Sequence, residues 1–277
     1  KLGWTMAATI GQSDPLDQLI AAGEAAPGEG NARAYHIGSD WMQGRTAYGG
    51  ISSALALDAV MVNHPGDAPL RTAQVSFIGP VGGECSVSTR LLRESKSSRF
   101  VGADLSSEAG YGTNALFTFM KPRTSHIDHE LIVPPEIREP DELETVPDHP
   151  ARPPFTRKFE MRPVSGRGFG HGRDVGEIIT WVRWVDEPAC DPHMALLALA
   201  DALPPAAMPL FNAFGPVSSS TWIQHFLTDH PQTSDGWWLL YSRTNHVKRG
   251  FSAQEMFIWN TDRQLVSVGG QGVALYV

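Results

Sequence analysis

The sequence is short of cysteine, short of charge and shorter still of positive charge. Cys85 and Cys190 are too few to staple 277 residues, which excludes a disulfide framework and points to a reducing, cytoplasmic setting. Charged residues make up 19% against 42% hydrophobic, a balance that excludes a disordered chain. Lys and Arg number 22 against 30 Asp and Glu, a formal net charge of −8 that argues against a nucleic-acid partner. No apolar run is long enough to suggest a membrane span. The best candidate, 194–227, carries Asp201 as its single formal charge, but Pro204, Pro205, Pro209 and Pro216 break it short of the ~20 helical residues required. The first fourteen residues hold one lysine and no apolar core before a small-residue cleavage site, so they do not read as a signal peptide. Met6 is a candidate start, with residues 1–5 ahead of it.

What is present is a pattern that occurs twice. At about 150 residues per domain, the length allows one large domain or two small ones. A short helix is expected over 14–22, within an N-terminal segment 1–32. Gly49-Gly50 then opens a run over 51–62 with Leu55, Leu57, Ala59 and Val62, stopped by Asn63-His64-Pro65-Gly66. Strand signals follow at 72–78, 85–91, 100–106 and 114–120, separated by Gly and Ser turns. The composition shifts next: eight prolines between Pro122 and Pro154 mark 123–154 as a linker. A second pass begins near Phe159, with a Gly-rich turn over 165–176 and a strand over 177–185. A helix over 192–203 follows, then strands at 219–227, 237–244, 254–260 and 265–277. Residues 33–122 and 155–277 therefore each read as one apolar helix with an antiparallel sheet, and duplication is the economical explanation. A helix wrapped by a curved antiparallel sheet is a hotdog. The expected class is α+β, a tandem (double) hotdog.

Asp201 stands out physically, because it lies in the most apolar helix of the chain, where an unpaired carboxylate costs several kcal/mol. The competing reading is a helix-end acid ahead of Pro204-Pro205. Asp58 occupies the matching position of the first half. Only the first helix, however, starts with adjacent glycines, whose bare backbone N–H groups suit a developing oxyanion. A site drawing on both halves would combine Gly49 and Gly50 with Asp201, leaving the opposite set degenerate.

Tyr48-Gly49-Gly50, Leu199-Ala200-Asp201, the run Ser218–Thr221 and the ending Val268-Gly-Gly-Gln271-Gly make the chain resemble the acyl-CoA thioesterase II family of fused double-hotdog hydrolases. The likeness spans roughly residues 34–277 and is strongest after Phe155. It implies an acyl-CoA substrate, hydrolysis without a cofactor or metal, assembly into a homo-oligomer, and a catalytic trio mapping onto Asp201, Thr221 and Gln271. Thr221 and Gln271 lie 50 residues apart, as the family pattern has it. The chain departs from that pattern at Ile51, where a Gln usually follows the glycines, and in the strand after Thr221. In the implied mechanism Asp201 deprotonates a water that Thr221 and Gln271 orient, while Gly49 and Gly50 polarise the carbonyl; direct attack by Asp201 is the variant.

Other motifs carry less. The stretch Gly166–Gly172 looks like a phosphate loop, yet a strand and not a helix follows it. Arg167 and Arg173 are candidates for a CoA phosphate. His126 and His129 lack companions at zinc spacing. No serine sits in a G-x-S-x-G elbow. A hydratase would want His beside Asp, and His193 is eight residues from Asp201. A non-catalytic acyl-CoA or lipid binder is the remaining alternative. The strand tryptophans read as core or as walls of an acyl channel.

Overall fold

The computed structural model describes residues 15–26, 30–165, 172 and 174–277. In chain order it contains α1 (Leu16–Ala21), β1 (Glu24–Ala25), β2 (Ala32–Ile37), β3 (Met42–Gln43), β4 (Thr46–Ala47), α2 (Gly49–Asn63), β5 (Leu70–Phe77), β6 (Gly83–Glu94), β7 (Ser98–Ser107) and β8 (Gly110–Met120). The second half adds β9 (Phe159–Ser165), β10 (Glu177–Trp184), α3 (Pro192–Ala200), β11 (Val217–Phe226), β12 (Trp238–Lys248), β13 (Phe251–Asn260) and β14 (Leu265–Leu275). All ladders of the main sheet are antiparallel, and its order is β1-β2-β6-β7-β8-β5-β11-β14-β13-β12-β10-β9. Read outward from the β5–β11 seam, the two halves have the same topology. This is the double hotdog that the periodicity predicts.

The seam itself is a full ladder, in which Trp222 faces Val75 and Gln224 faces Ala73. One sheet therefore wraps both helices. α2 is buried on every side from Gly50 to Val60, and α3 is buried from His193 to Ala200. A helix apolar all round belongs in the middle of a domain, and each of these meets the sheet on one side and the other helix on another. The helices cross closely because Gly50 carries no side chain: a methyl there would collide with the Ala198 carbonyl and the Tyr48 ring. Tyr48 locks the crossing by donating its hydroxyl to Ala198 O at 2.7 Å and stacking on Phe155 at 4.1 Å.

Three boundaries differ from expectation. The helix predicted over 192–203 ends at Ala200, since Pro204 and Pro205 cannot continue it. The N-terminal segment is not separate: β1 pairs with β2, and α1 buries Leu16 and Leu19 in the main core. Nor is the linker merely a tether. Its residues Ile137 and Leu143 pack on the outer face of the second sheet with Ile179, Trp181, Trp237, Leu239, Phe257 and Trp259, and Trp181 donates its indole N–H to Arg138 O. Strand alternation sorts the tryptophans, with Trp184, Trp222 and Trp238 inward and Trp181, Trp237 and Trp259 on the outer face under the linker. Most of the turn over 165–176 lies outside the described residues.

Gly50→Ala tests the close crossing. Alanine gains at most about 1 kcal/mol of helix propensity. The clash is with backbone that cannot swing aside, so a net loss of about 1–3 kcal/mol is expected in urea unfolding.

Candidate active site

The crossing brings the end of one helix to the start of the other. α3 stops at Asp201, its C-cap, and that carboxylate lies against the N-terminus of α2. A methyl on Gly49 would meet Asp201 Oδ2 at 2.5 Å and the Phe77 ring at 2.9 Å, so glycine is required for the carboxylate to approach. Backbone N–H of Gly50 hydrogen-bonds the carboxylate, and Gln271 Nε2 donates to Oδ1 at 2.6 Å. First-turn N–H groups have no intrahelical acceptor and form the positive end of the helix, so this position suits an anion. Burial nevertheless dominates and raises the Asp201 pKa to about 7, against the lowering effects of Gln271 and Gly50. No charged side chain contributes to that shift. The nearest titratable neighbour is the Tyr48 phenol, pushed well up by burial and by the Asp201 charge.

The sequence-predicted residues are brought together in part. Asp201, Gln271, Gly49 and Gly50 share one site. The glycines do not act as an equal pair, though, because the Gly50 N–H is committed to Asp201. Thr221 is placed elsewhere. It is exposed, and a methyl on Gly272 would lie 3.0 Å from its hydroxyl, which puts it on the outer face of the sheet. The cause is a β-bulge: Ser219 pairs with Val273 and Thr221 with Gly272, so two residues of β11 oppose one of β14. The hydroxyl that reaches Gln271 is that of Ser219, 3.4 Å from Oε1. Gln254 also touches Gln271, with Nε2 3.2 Å from Oε1. Neither residue follows from a motif. Gln254 leaves one sequence trace, a long polar side chain at an inward position next to Met256 and Ile258 on its strand.

The symmetry-related position is closed. Asp58 is buried, accepts from the Tyr35 hydroxyl at 2.6 Å and pairs with Arg33 Nε at 3.3 Å. Burial raises its pKa against those partners. The N-terminus of α3, which would play the part of Gly49-Gly50, is capped by its own Asp191, whose Oδ1 accepts from the His193 and Met194 N–H groups. Cys190 beside it is a poor nucleophile, its thiol pushed up to about 12 by burial and neighbouring carboxylates. His126 and His129 are exposed, and among the described residues no group of three or more His, Cys, Asp or Glu is placed to hold a metal ion. Among the described residues no helix is long and apolar enough to cross a membrane. Arg167 and Arg173 lie outside the described residues.

A continuous double hotdog with a carboxylate seated between its central helices defines the class of protein, and comparison with known proteins agrees. The acyl-CoA thioesterase N-terminal domain matches residues 37–120 and the acyl-CoA thioesterase C-terminal domain matches residues 140–275. The chain belongs to the acyl-CoA thioesterase family. Among solved structures it is similar to a hotdog-fold protein of unknown function from Alicyclobacillus acidocaldarius, at TM-score 0.82 and 20% identity over 95% of this chain and 98% of that one. It is also similar to the tesB protein of Mycobacterium avium subs paratuberculosis, at TM-score 0.77 and 15% identity over 95% and 100% of the chains. Acyl-CoA thioesterase II TesB2 of Mycobacterium marinum aligns at TM-score 0.74 and 14% identity over 94% and 98%. At these identities the likeness is one of fold. No individual curated protein matches the chain in sequence.

The closed position yields a prediction about stability. Asp58→Ala strands Arg33 and the Tyr35 hydroxyl in the core, and a loss of about 3–5 kcal/mol in denaturant unfolding is expected. A loss within ~0.5 kcal/mol would mean the ion pair has no structural weight.

Proposed function

We propose that the protein hydrolyses acyl-CoA thioesters to a free acid and CoA, with Asp201 as the general base. The observation that carries this reading is the Asp201 carboxylate, poised near neutrality at a helix N-terminus and held by a side-chain amide. A base works best when its pKa lies near the working pH, and burial has brought Asp201 there. A water on Asp201 gives up its proton as its oxygen bonds to the thioester carbon. The carbonyl oxygen becomes an oxyanion beside the first turn of α2, where the Gly49 N–H faces no intrahelical acceptor. Collapse breaks the carbon–sulfur bond, and the proton on Asp201 passes to the departing CoA thiolate. Gln271 fixes the carboxylate, and Ser219 takes the orienting part for which Thr221 is misplaced.

The family and the fold support thioester hydrolysis in general, and the site geometry supports these residues within it. A hydratase finds less support, because no histidine contacts Asp201 among the described residues and His193 sits at the far end of α3, against Phe226.

The decisive experiment is release of free thiol from a panel of acyl-CoAs of increasing chain length. Measurable binding without thiol release across the panel would leave a binding protein instead. With an active substrate, Asp201→Asn should reduce turnover at least ~100-fold in a folded protein. The base must be ionised, so kcat/KM should rise with pH through an inflection near 7 and flatten above it. A profile flat from pH 5 to 8 would remove Asp201 as the base.

The two hydroxyls give a separate test. Ser219→Ala should lower kcat by ~10-fold or more, because it loosens the amide that holds the base. Thr221→Val should leave kcat within about twofold. The reverse ranking would restore Thr221 to the site.

A further inference from the structure

Gln271 can face Asp201 in two ways that differ only by rotating its amide. With Nε2 toward the carboxylate it donates a hydrogen bond, and with Oε1 there it sets one acceptor against another. The amide alone does not choose. Ser219 does not choose either, since a hydroxyl both donates and accepts.

The choice is made further back. Gln254 is buried on β13, opposite Gln271 of β14 in the ladder. Its Oε1 accepts the backbone N–H of Ala206 at 2.8 Å. A backbone N–H donates and never accepts, so that contact fixes which end of the Gln254 amide is oxygen. Nε2 of Gln254 is then the end that meets Gln271, and it donates to Oε1 at 3.2 Å. With its oxygen so engaged, Gln271 has only Nε2 left for Asp201, at 2.6 Å. The chain of donors runs one way, from the fully buried Ala206 through Gln254 and Gln271 to the carboxylate. It also closes on itself in the sequence, because Asp201 and Ala206 both lie on the segment that leaves α3.

We infer that Gln254 is a positioning residue that sets the polarity of the Gln271 amide and so keeps a donor on the catalytic carboxylate. The inference rests on the hydrolase reading for its kinetic consequences, but the relay itself is a property of the protein without substrate. Removing it frees the Gln271 amide to turn Oε1 toward Asp201, which weakens a partner that favours the charged form. The charged form is disfavoured further, so the Asp201 titration moves to higher pH. Among the described residues no ionic group contributes to the Asp201 shift and so could obscure that movement, and Tyr48 titrates far above the range.

Two substitutions separate positioning from simple support. Gln254→Met keeps the length and removes both polar ends. Gln254→Glu keeps an acceptor for Ala206 N–H and thus the local fold, but its carboxylate brings no donor to Gln271. Both variants are expected to lower kcat by about 10-fold or more with KM within about threefold. In Gln254→Met, which adds no charge near Asp201, the acid limb of the pH profile should move up by at least about half a unit. Thermal unfolding is recorded alongside. If Gln254 only satisfies Ala206, then Gln254→Glu will restore wild-type kcat on the alkaline plateau, where Asp201 is fully ionised, and the inference falls. An unchanged limb in folded Gln254→Met would overturn it equally. Carboxyl carbon-13 NMR of Asp201, assigned by its loss in Asp201→Asn, reads the same titration without turnover. An upward shift there in a protein that hydrolyses no acyl-CoA would keep the relay and discard the hydrolase.

Discussion

Everything functional in this fold depends on a carboxylate from one half being seated on the helix N-terminus of the other. The approach needs Gly49 for the carboxylate and Gly50 for the helix crossing, since a side chain at either would push α3 away. It needs α3 to end where it does, which Pro204 and Pro205 secure. It also needs the two sheets fused at β5–β11, because β5 carries Phe77 over Gly49 and β11 carries Ser219 toward Gln271. The α2–α3 contact is therefore both the centre of the core and the floor of the site.

Duplication creates two such positions, and the sequence has spent them differently. At one, the first turn of α2 keeps its donors for Asp201 and a ligand. At the other, Asp191 fills the equivalent donors from its own chain, and Arg33 with Tyr35 neutralises Asp58. The second position has become a buried polar staple, covered by α1. A buried ion pair is weak evidence of net stability, but it costs little when each member has a partner. The same carboxylate without Arg33 would be a second base with nothing to do. Divergence of the halves thus follows from the penalty on an unpartnered buried charge.

The sequence shows why part of this was legible. Helical runs opened by Gly49-Gly50 and closed by Asn63-His64-Pro65, and strands alternating as in 177–185, specify the architecture through period alone. Asp201 announces itself as the one charge in a long apolar stretch. Motif spacing selects Thr221 because it counts residues, whereas a bulge adds one to a strand without leaving a compositional mark and turns that side chain outward. Alternation read backward from the buried Trp222 would have put Thr221 outside, and the bulge then returns Ser219 to the inner face. Gln254 was invisible for a different reason. A polar residue at a core position has meaning only through its partners, and those lie on the loop after α3 and on the next strand.

The electrostatics of the site also follow from what is absent. The protein carries a net charge of −8, yet no charged group tunes Asp201. Its pKa reflects desolvation opposed by two donors, and desolvation is the part that a bound acyl group increases. Under the proposed hydrolysis, a bound acyl group would exclude more water and drive the carboxylate toward its neutral form, the form that cannot take a proton. The donors from Gly50 and Gln271 oppose that drift, and they strengthen as the local dielectric falls. A nearby Lys or Arg would hold the charge more firmly but would depress the pKa below the useful range and make a weak base. On the proposed reading, two neutral donors, one from the backbone and one held in fixed polarity, leave the base with a pKa near 7, so that it is both a useful base and substantially ionised at neutral pH. That balance explains why the site uses an amide relay rather than an ion pair, while the mirrored Asp58, which has no proton to take, uses the ion pair.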